Sequence, residues 1–327
     1  MPVIPGTEAV GQEVDALRTH FGGDVVWLRP SWRGHARYPK RLVGAHHFRH
    51  LRRRDEQVDL HHVFAGALQP LPIIRLLRKP VVYTVAAGVG PRKRWPRMSF
   101  LKRLAAIVVQ TQADLECLTA HGLTNGYVIR SGIDVDRFVS TAPPTGPDFV
   151  LLLGSAPWTR TQFRSKGVDV LLETLRVLPQ LRVVFLWRGV LLDELVSRVR
   201  KSGVSDRVEI LSERVDVAQV LQRVHAAVVI SDHPGSVKAH PHSLMEALAA
   251  GRPLLISKAI GMADYVRETG CGCVVEGLSV TDLSSAIEKL IKSYDLYRSR
   301  TAGLAERDFS IERFVADHQK LYRTIVG

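Results

Sequence analysis

Two stretches of the same alternation, parted by a proline-rich octapeptide, limit what this chain can fold into. In each stretch, short apolar runs rich in Val and Ile alternate with segments whose apolar residues recur at helical spacing. Before the break, strands are expected at Val25–Leu28, Val58–His62, Val81–Val85, Ala105–Val109 and Tyr127–Arg130. Helices are expected over Glu8–His20, Ala67–Leu77 and Gln112–His121. Continuous apolar strands separated by helices belong to parallel sheets covered on both faces, joined by right-handed crossovers. Only Pro2–Ile4 precede Gly6, so the first strand of this half is either very short or missing.

The break is Thr141–Asp148 (TAPPTGPD), which has no periodic apolar pattern and reads as a linker. After it the alternation restarts with strand Phe149–Leu153, helix Val168–Leu178, strand Arg182–Trp187, helix Leu191–Lys201 and strand Arg207–Leu211. It continues through helix Val215–Val224, strand Ala226–Ser231, a short helix opening near His242 and Ser243, strands Leu254–Ser257 and Gly272–Val275, and helix Val280–Ser293. The fold class is therefore α/β, with two doubly wound Rossmann-like domains facing across a cleft. An amphipathic helix at Ile311–Ile325 has no strand after it.

A chain of 327 residues exceeds one ordinary hydrophobic core, in keeping with two domains. No apolar run reaches the roughly 18–20 residues of a membrane span, and MPVIPGTEAV is not patterned as a signal peptide. Cys271 and Cys273 alternate along a strand and point to opposite faces, which argues against a shared metal; with Cys117 they read as inert thiols in a reducing cytoplasm. The formal charge of +13 is concentrated in the first half. Nine basic residues and no acid lie between Arg29 and Arg54, and Leu60–Ala113 again contains no Asp or Glu. GPRKRWPRMSFLKRLA (90–105) interleaves that charge with Trp95, Met98, Phe100 and Leu101, a pattern suited to an anionic membrane surface or to a solvated basic face. No helix-turn-helix, RNP-like or zinc pattern supports nucleic acid as a partner.

The chemistry is concentrated after the break. In KAHPHSLMEALAAGRPLLIS (238–257), Ser243 is placed as an N-cap, Leu244 and Leu248 face a sheet, and Gly251 and Pro253 stop the helix. The first-turn N–H groups of such a helix offer a phosphate site, and Glu246 one turn in can reach a ribose hydroxyl or simply sit solvated near the positive end of the dipole. Arg160, Arg164 and Lys166 fall between a strand end at Gly154 and a helix start at Val168, which suits a diphosphate or an ordinary basic loop.

Four segments, in order, resemble the family 4 glycosyltransferases (group 1 glycosyl transferases) of GT-B architecture. They are VIRSGIDVDRF (128–138), SKGVDVLLETL (165–175), PHSLMEALAAGRPLLIS (241–257) and IGMADYVRETGCGCVVE (260–276). The resemblance implies an acceptor-side domain over 1–140, a linker at 141–148, a nucleotide-sugar-binding domain over 149–305, and a helix over 306–327 crossing back to the first domain. It implies donor binding by Lys166, with Arg160 or Arg164 as its cationic partner, by His242, Ser243 and Leu244 at the phosphates, and by Glu246 at the ribose. Gly6 and Thr7 resemble the family's acceptor-side glycine loop near the donor phosphate.

Two positions depart from the pattern. The first glutamate of the family's Glu-x7-Glu motif is Lys238 here, and the family's first-domain Thr-x-His reads Thr84–Val85–Ala86. His61 and His62, ending the preceding expected strand, are then left as cleft candidates. Lys238 and His62 are the two candidates for a catalytic part. The resemblance implies a retaining transfer from a nucleotide diphosphate sugar to a cell-envelope, glycolipid or polysaccharide acceptor, with no metal or other cofactor, in the cytoplasm or at the inner face of the membrane. The alternative is a catalytically silent member that binds a nucleotide sugar or supports a partner transferase.

Overall fold

The computed structural model of the chain describes residues 9–28, 43–90, 95–187 and 190–327. The chain divides into two compact units, Met1–Gly132 with Ile311–Gly327, and Ile133–Ser310. Gly6 and Thr7 lie outside the described residues.

The first unit holds a parallel sheet in the order β1 (His61–Ala65), β2 (Val81–Val85), β3 (Ala106–Val109), β4 (Gly126–Val128). Its helices are α1 (Ala9–Phe21), α2 (Phe48–Arg54), α3 (Met98–Leu101), α4 (Gln112–Ala120) and, at the chain's end, α14 (Ile311–Val326). Alternate residues of the strands serve opposite faces. Tyr83, Val85, Ile107 and Val109 join Leu68, Leu71, Phe100 and Leu118 in one core, while Val82, Ala106 and Val108 pack with Leu17, Phe314 and Leu321 in the other.

Three expectations for this unit are corrected. Val25–Leu28 forms no strand; Val26 and Leu28 pack against the first core, and the Leu28 carbonyl accepts a bond from the Gly44 N–H. The helix expected over Ala67–Leu77 is only a 3₁₀ turn at Pro72–Leu76. Pro70 and Pro72 each remove a donor and restrict the residue before them, so helix cannot form ahead of Ile73. The apolar residues of the 90–105 stretch face inward: Phe100 and Leu101 are buried and Trp95 and Met98 pack against the same core, while Arg97, Lys102 and Arg103 are exposed.

The two histidines are corrected as well. The strand begins at His61 instead of ending there, so His61 and His62 stand at the amino edge of the sheet, opposite the edge where ligands sit in open α/β folds. His61 pairs with buried Asp55 at 2.9 Å. The ring nitrogens of His62 hydrogen-bond to the hydroxyls of Tyr322 at 2.5 Å and Thr84 at 2.7 Å.

His62 lies with its ring centroid 5.3 Å from that of fully buried His318, on α14. Burial lowers both imidazoles, His62 well below its ordinary value with the His318 charge adding to it, and His318 to about 4. Buried Glu13 of α1 and Asp317 of α14 pull His318 the other way without offsetting its burial. In the unfolded chain both rings titrate near about 6.5, so below that pH the unfolded state binds more protons and stability falls with pH. Far-UV circular dichroism should therefore show acid loss of helix beginning near pH ~6.5 and deepening toward about 4, delayed in His318→Leu. An identical acid midpoint in the variant would refute this account.

The second unit holds a six-stranded parallel sheet. Its strands are β5 (Phe149–Leu153), β6 (Leu181–Leu186), β7 (Val208–Leu211), β8 (Ala226–Val229), β9 (Leu254–Ser257) and β10 (Gly272–Val275), in the order β10-β9-β8-β5-β6-β7. The helices are α5 (Gln162–Ser165), α6 (Val168–Val177), α7 (Leu192–Ser202), α8 (Val217–Gln222), α9 (His242–Ala249), α10 (Ala263–Thr269), α11 (Val280–Lys292), α12 (Tyr294–Ser299) and α13 (Leu304–Phe309). Cys271 and Cys273 fall in separate cores, as opposite-facing residues must. Residues 141–148 lie within this unit, where Thr141 is held by Arg252 and Arg298.

Candidate functional site

From β5 the chain runs outward to β6 and β7, then returns to place β8 on the other side of β5. The loops after β5 and β8 therefore diverge, and the crevice at their carboxyl ends is the switch point where doubly wound sheets bind ligands. Both segments singled out in the sequence come here.

The loop after β5 leads through α5 to Lys166 and Gly167. Gly167 takes a left-handed φ of 66°, and an added Cβ would come within 2.5 Å of Ile230, so the chain turns into α6 only with glycine there. The turn buries Lys166, which is 5% exposed and whose Nζ donates to the Ala156 carbonyl at 3.2 Å and to Ser155 Oγ at 3.4 Å. Burial lowers its pKa to about 8.

The loop after β8 is pinned at its root. The Ser231 N–H donates to Ser257 Oγ at 2.8 Å, and that hydroxyl donates back to the Ser231 carbonyl at 2.7 Å. The Asp232 N–H donates to the carbonyl of Ser165, next to Lys166, at 3.0 Å. The loop then delivers Lys238, half-buried with its Nζ shielded from solvent, and buried His240.

Helix α9 follows. Its N-cap is Pro241, not Ser243, and no side chain caps it. The Pro241 carbonyl accepts from the N–H of Leu244 at 3.0 Å and of Met245 at 3.3 Å. The N–H groups of His242 and Ser243 precede the first intrahelical bonds and point out of the helix end. Leu244 is spent on the core, fully buried with its N–H already engaged. Glu246 is half-buried one turn further on. The end of β5 approaches this helix closely: a Cβ on Gly154 would lie 2.9 Å from that of Ser243.

Lys166, Ser243 and the 231–242 segment are thus brought together, with Glu246 behind them on α9. The two arginines are not equivalent to Lys166. Arg160 is 78% exposed and pairs with Glu194 of α7 at 3.3 Å, and Arg164 is exposed at the end of α5. Among the described residues, no group of three or more His, Cys, Asp or Glu could hold a metal ion. Sequence reasoning missed Ser231, Ser257 and Asp232, which fix the β8 loop; a serine at the end of each neighbouring strand was the available signal.

The glycosyl transferases group 1 family matches residues 159–303. The chain is 28% identical over 153 residues to the Vi polysaccharide biosynthesis protein VipC/TviE of Salmonella typhi, covering 46% of this chain and 26% of that protein. It is 32% identical over 136 residues to the lipopolysaccharide glucosyltransferase WaaG of Escherichia coli, covering 40% of this chain and 35% of that one. The matches therefore span well under two thirds of either relative. In fold, the chain superposes on Anabaena HepE, crystallised with UDP and glucose, at a TM-score of 0.68 and 16% identity, over 85% of this chain and 81% of that one.

Proposed function

Because residues 159–303 match the glycosyl transferases group 1 family and the chain shares the fold of Anabaena HepE, we propose that this protein transfers a sugar from a nucleotide diphosphate donor. One observation carries the reading: a buried lysine and an uncapped helix start meet at the switch point of the second sheet, inside the matched segment. In this reading Lys166 supplies a point charge to the diphosphate, the N–H groups of His242 and Ser243 supply directed donors, and Glu246 accepts from the ribose hydroxyls. The same groups stabilise the diphosphate as it departs, so their contribution grows as the sugar bond breaks. We assign a retaining outcome, with the leaving diphosphate taking the acceptor proton, and no metal.

The acceptor we assign is a lipid-linked or polysaccharide component of the cell envelope. WaaG acts in lipopolysaccharide synthesis and VipC/TviE in polysaccharide synthesis, as their names state. The charge of the first half supports peripheral binding at the inner face of an anionic membrane. With Phe100 and Leu101 buried, that attraction is electrostatic and falls with salt. Lys238 and Ala86 favour the second reading, a member that binds the donor without turning it over.

The test is differential scanning fluorimetry against nucleotide diphosphates and their sugars, with and without chelator, followed by product analysis with lipid and glycan acceptors. A ligand present at about a hundred times its Kd should stabilise by about 2.7 kcal/mol, unchanged by chelator. Stabilisation without product selects the silent reading, and no stabilisation by any nucleotide rejects both.

A further inference from the structure

We propose that Ser257 is a positioning residue for nucleotide binding, setting affinity by holding the loop after β8 in its binding position without touching the ligand. The inference rests on the nucleotide-sugar reading of the switch point. It starts where β8 and β9 part. Their ladder pairs Ala227 with Leu254, Val228 with Leu255 and Val229 with Ile256, and the Ala227 N–H donates to the Pro253 carbonyl. Carried on by four residues, that register sets the Ser231 N–H against the Ser257 carbonyl. The bond is made to the Ser257 hydroxyl instead, at 2.8 Å, and the hydroxyl donates back to the Ser231 carbonyl at 2.7 Å.

One hydroxyl therefore spans the point at which the two strands separate. Beyond it β9 stays with β10, the Lys258 N–H donating to the Val275 carbonyl at 3.0 Å. The chain after Ser231 leaves instead for the turn between α5 and α6, where the Asp232 N–H meets the Ser165 carbonyl. Ser231 and Ser257 are both buried, so water is kept from replacing the bonds between them.

The clip joins the parts that a diphosphate needs. Ser165 precedes Lys166, and the loop rooted at Ser231 runs on to Pro241, the N-cap of α9. Ser231 Oγ closes the first turn of that loop, accepting from the His233 N–H at 3.2 Å and bonding to the Ser236 hydroxyl. Removing the Ser257 hydroxyl strips the Ser231 N–H and carbonyl of the bonds that hold them, so the loop opens locally at little cost. A site assembled for only part of the time binds more weakly in proportion to that fraction.

The measurement is calorimetric titration of the full chain with UDP, GDP, ADP and CDP, repeated on variants with the best-bound of them. Ser257→Ala should bind it about tenfold more weakly, as for a loop in place about a tenth of the time. Ser257→Thr keeps the hydroxyl and should restore the affinity. Val199→Ala is the control for stability alone: Val199 is buried on α7, and its truncation should lower the melting temperature while leaving the affinity unchanged. Hydrogen exchange reads the clip directly. The Ser231 and Asp232 amides should be protected in the unaltered chain and lose that protection in Ser257→Ala until nucleotide is added. A Ser257→Ala chain that binds as tightly as the unaltered one, or a Val199→Ala chain that loses as much, overturns this inference and leaves the donor reading standing. Unprotected Ser231 and Asp232 amides in the unaltered chain overturn it without any variant. If the unaltered chain binds none of the four nucleotides, the donor reading falls and this inference with it.

Discussion

Replacing Arg252 with methionine is expected to destabilise the second unit by about 3–5 kcal/mol. Its side chain is fully buried and all three guanidinium nitrogens donate. Nε donates to the Leu221 carbonyl at 2.9 Å, Nη1 to the Thr141 carbonyl at 3.2 Å, and Nη2 to Thr141 Oγ1 at 2.8 Å. Nη2 also reaches the carbonyls of Ala142 and Gln222, both at 3.3 Å. One side chain thus ties the end of α8 to the segment that enters β5. Methionine fills a similar volume but donates nothing, so several acceptors lose a partner at about 1–3 kcal/mol each, reduced where water enters or Arg298 still reaches Thr141. Lysine should rescue little, because a point ammonium cannot span acceptors spread over a planar fork. Urea denaturation followed by tryptophan fluorescence reads the effect, since Trp187 lies fully buried in this unit. A loss below about 1 kcal/mol would show that the network is replaceable by packing.

In the sequence, Arg252 was legible only as part of a Gly-Arg-Pro stop. Nothing in local spacing says that a basic residue between glycine and proline turns into the core, because the carbonyls it serves lie up to 111 positions away. The same distinction runs through the molecule. The second sheet was legible strand by strand, since its runs are apolar on both faces and the helices between them are continuous. The first was not. Pro70 and Pro72 reduce an apparently helical run to a 3₁₀ turn, and the strand at His61–Ala65 lies three residues downstream of its expected start because Val58 is left outside the ladder. That shift moves His61 and His62 from one edge of the sheet to the other. Near the switch point, the expected strand and helix ends located Lys166, Ser243 and Glu246 along the chain, but spacing could not tell buried Lys166 from exposed Arg160 and Arg164. Burial of a cation is settled by tertiary contacts such as Gly167 against Ile230, which a linear pattern does not contain.

Lys166→Met should weaken binding of the free nucleotide diphosphate by about tenfold to a hundredfold, the range of one charge-assisted hydrogen bond. The lysine also predicts a pH signature that the variant must lose. In the free protein, burial holds its pKa at about 8, below the ordinary lysine value. A bound diphosphate favours the charged form, so the pKa in the complex is higher than in the free protein. Below about 8 the ammonium is already charged and affinity is flat on its account. Above that pH the free protein has released a proton that the complex takes back, so affinity falls by about tenfold per unit until the pKa of the complex is reached. The phosphate's own ionisation, near about 6, lies outside this window. Calorimetry at pH 9 in two buffers of different ionisation enthalpy should therefore show proton uptake on binding to the wild-type chain and none with Lys166→Met. A wild-type affinity that stays level from pH 7 to pH 9.5 would mean that the buried lysine faces no phosphate, and the diphosphate would then have to be held by the α9 N–H groups alone.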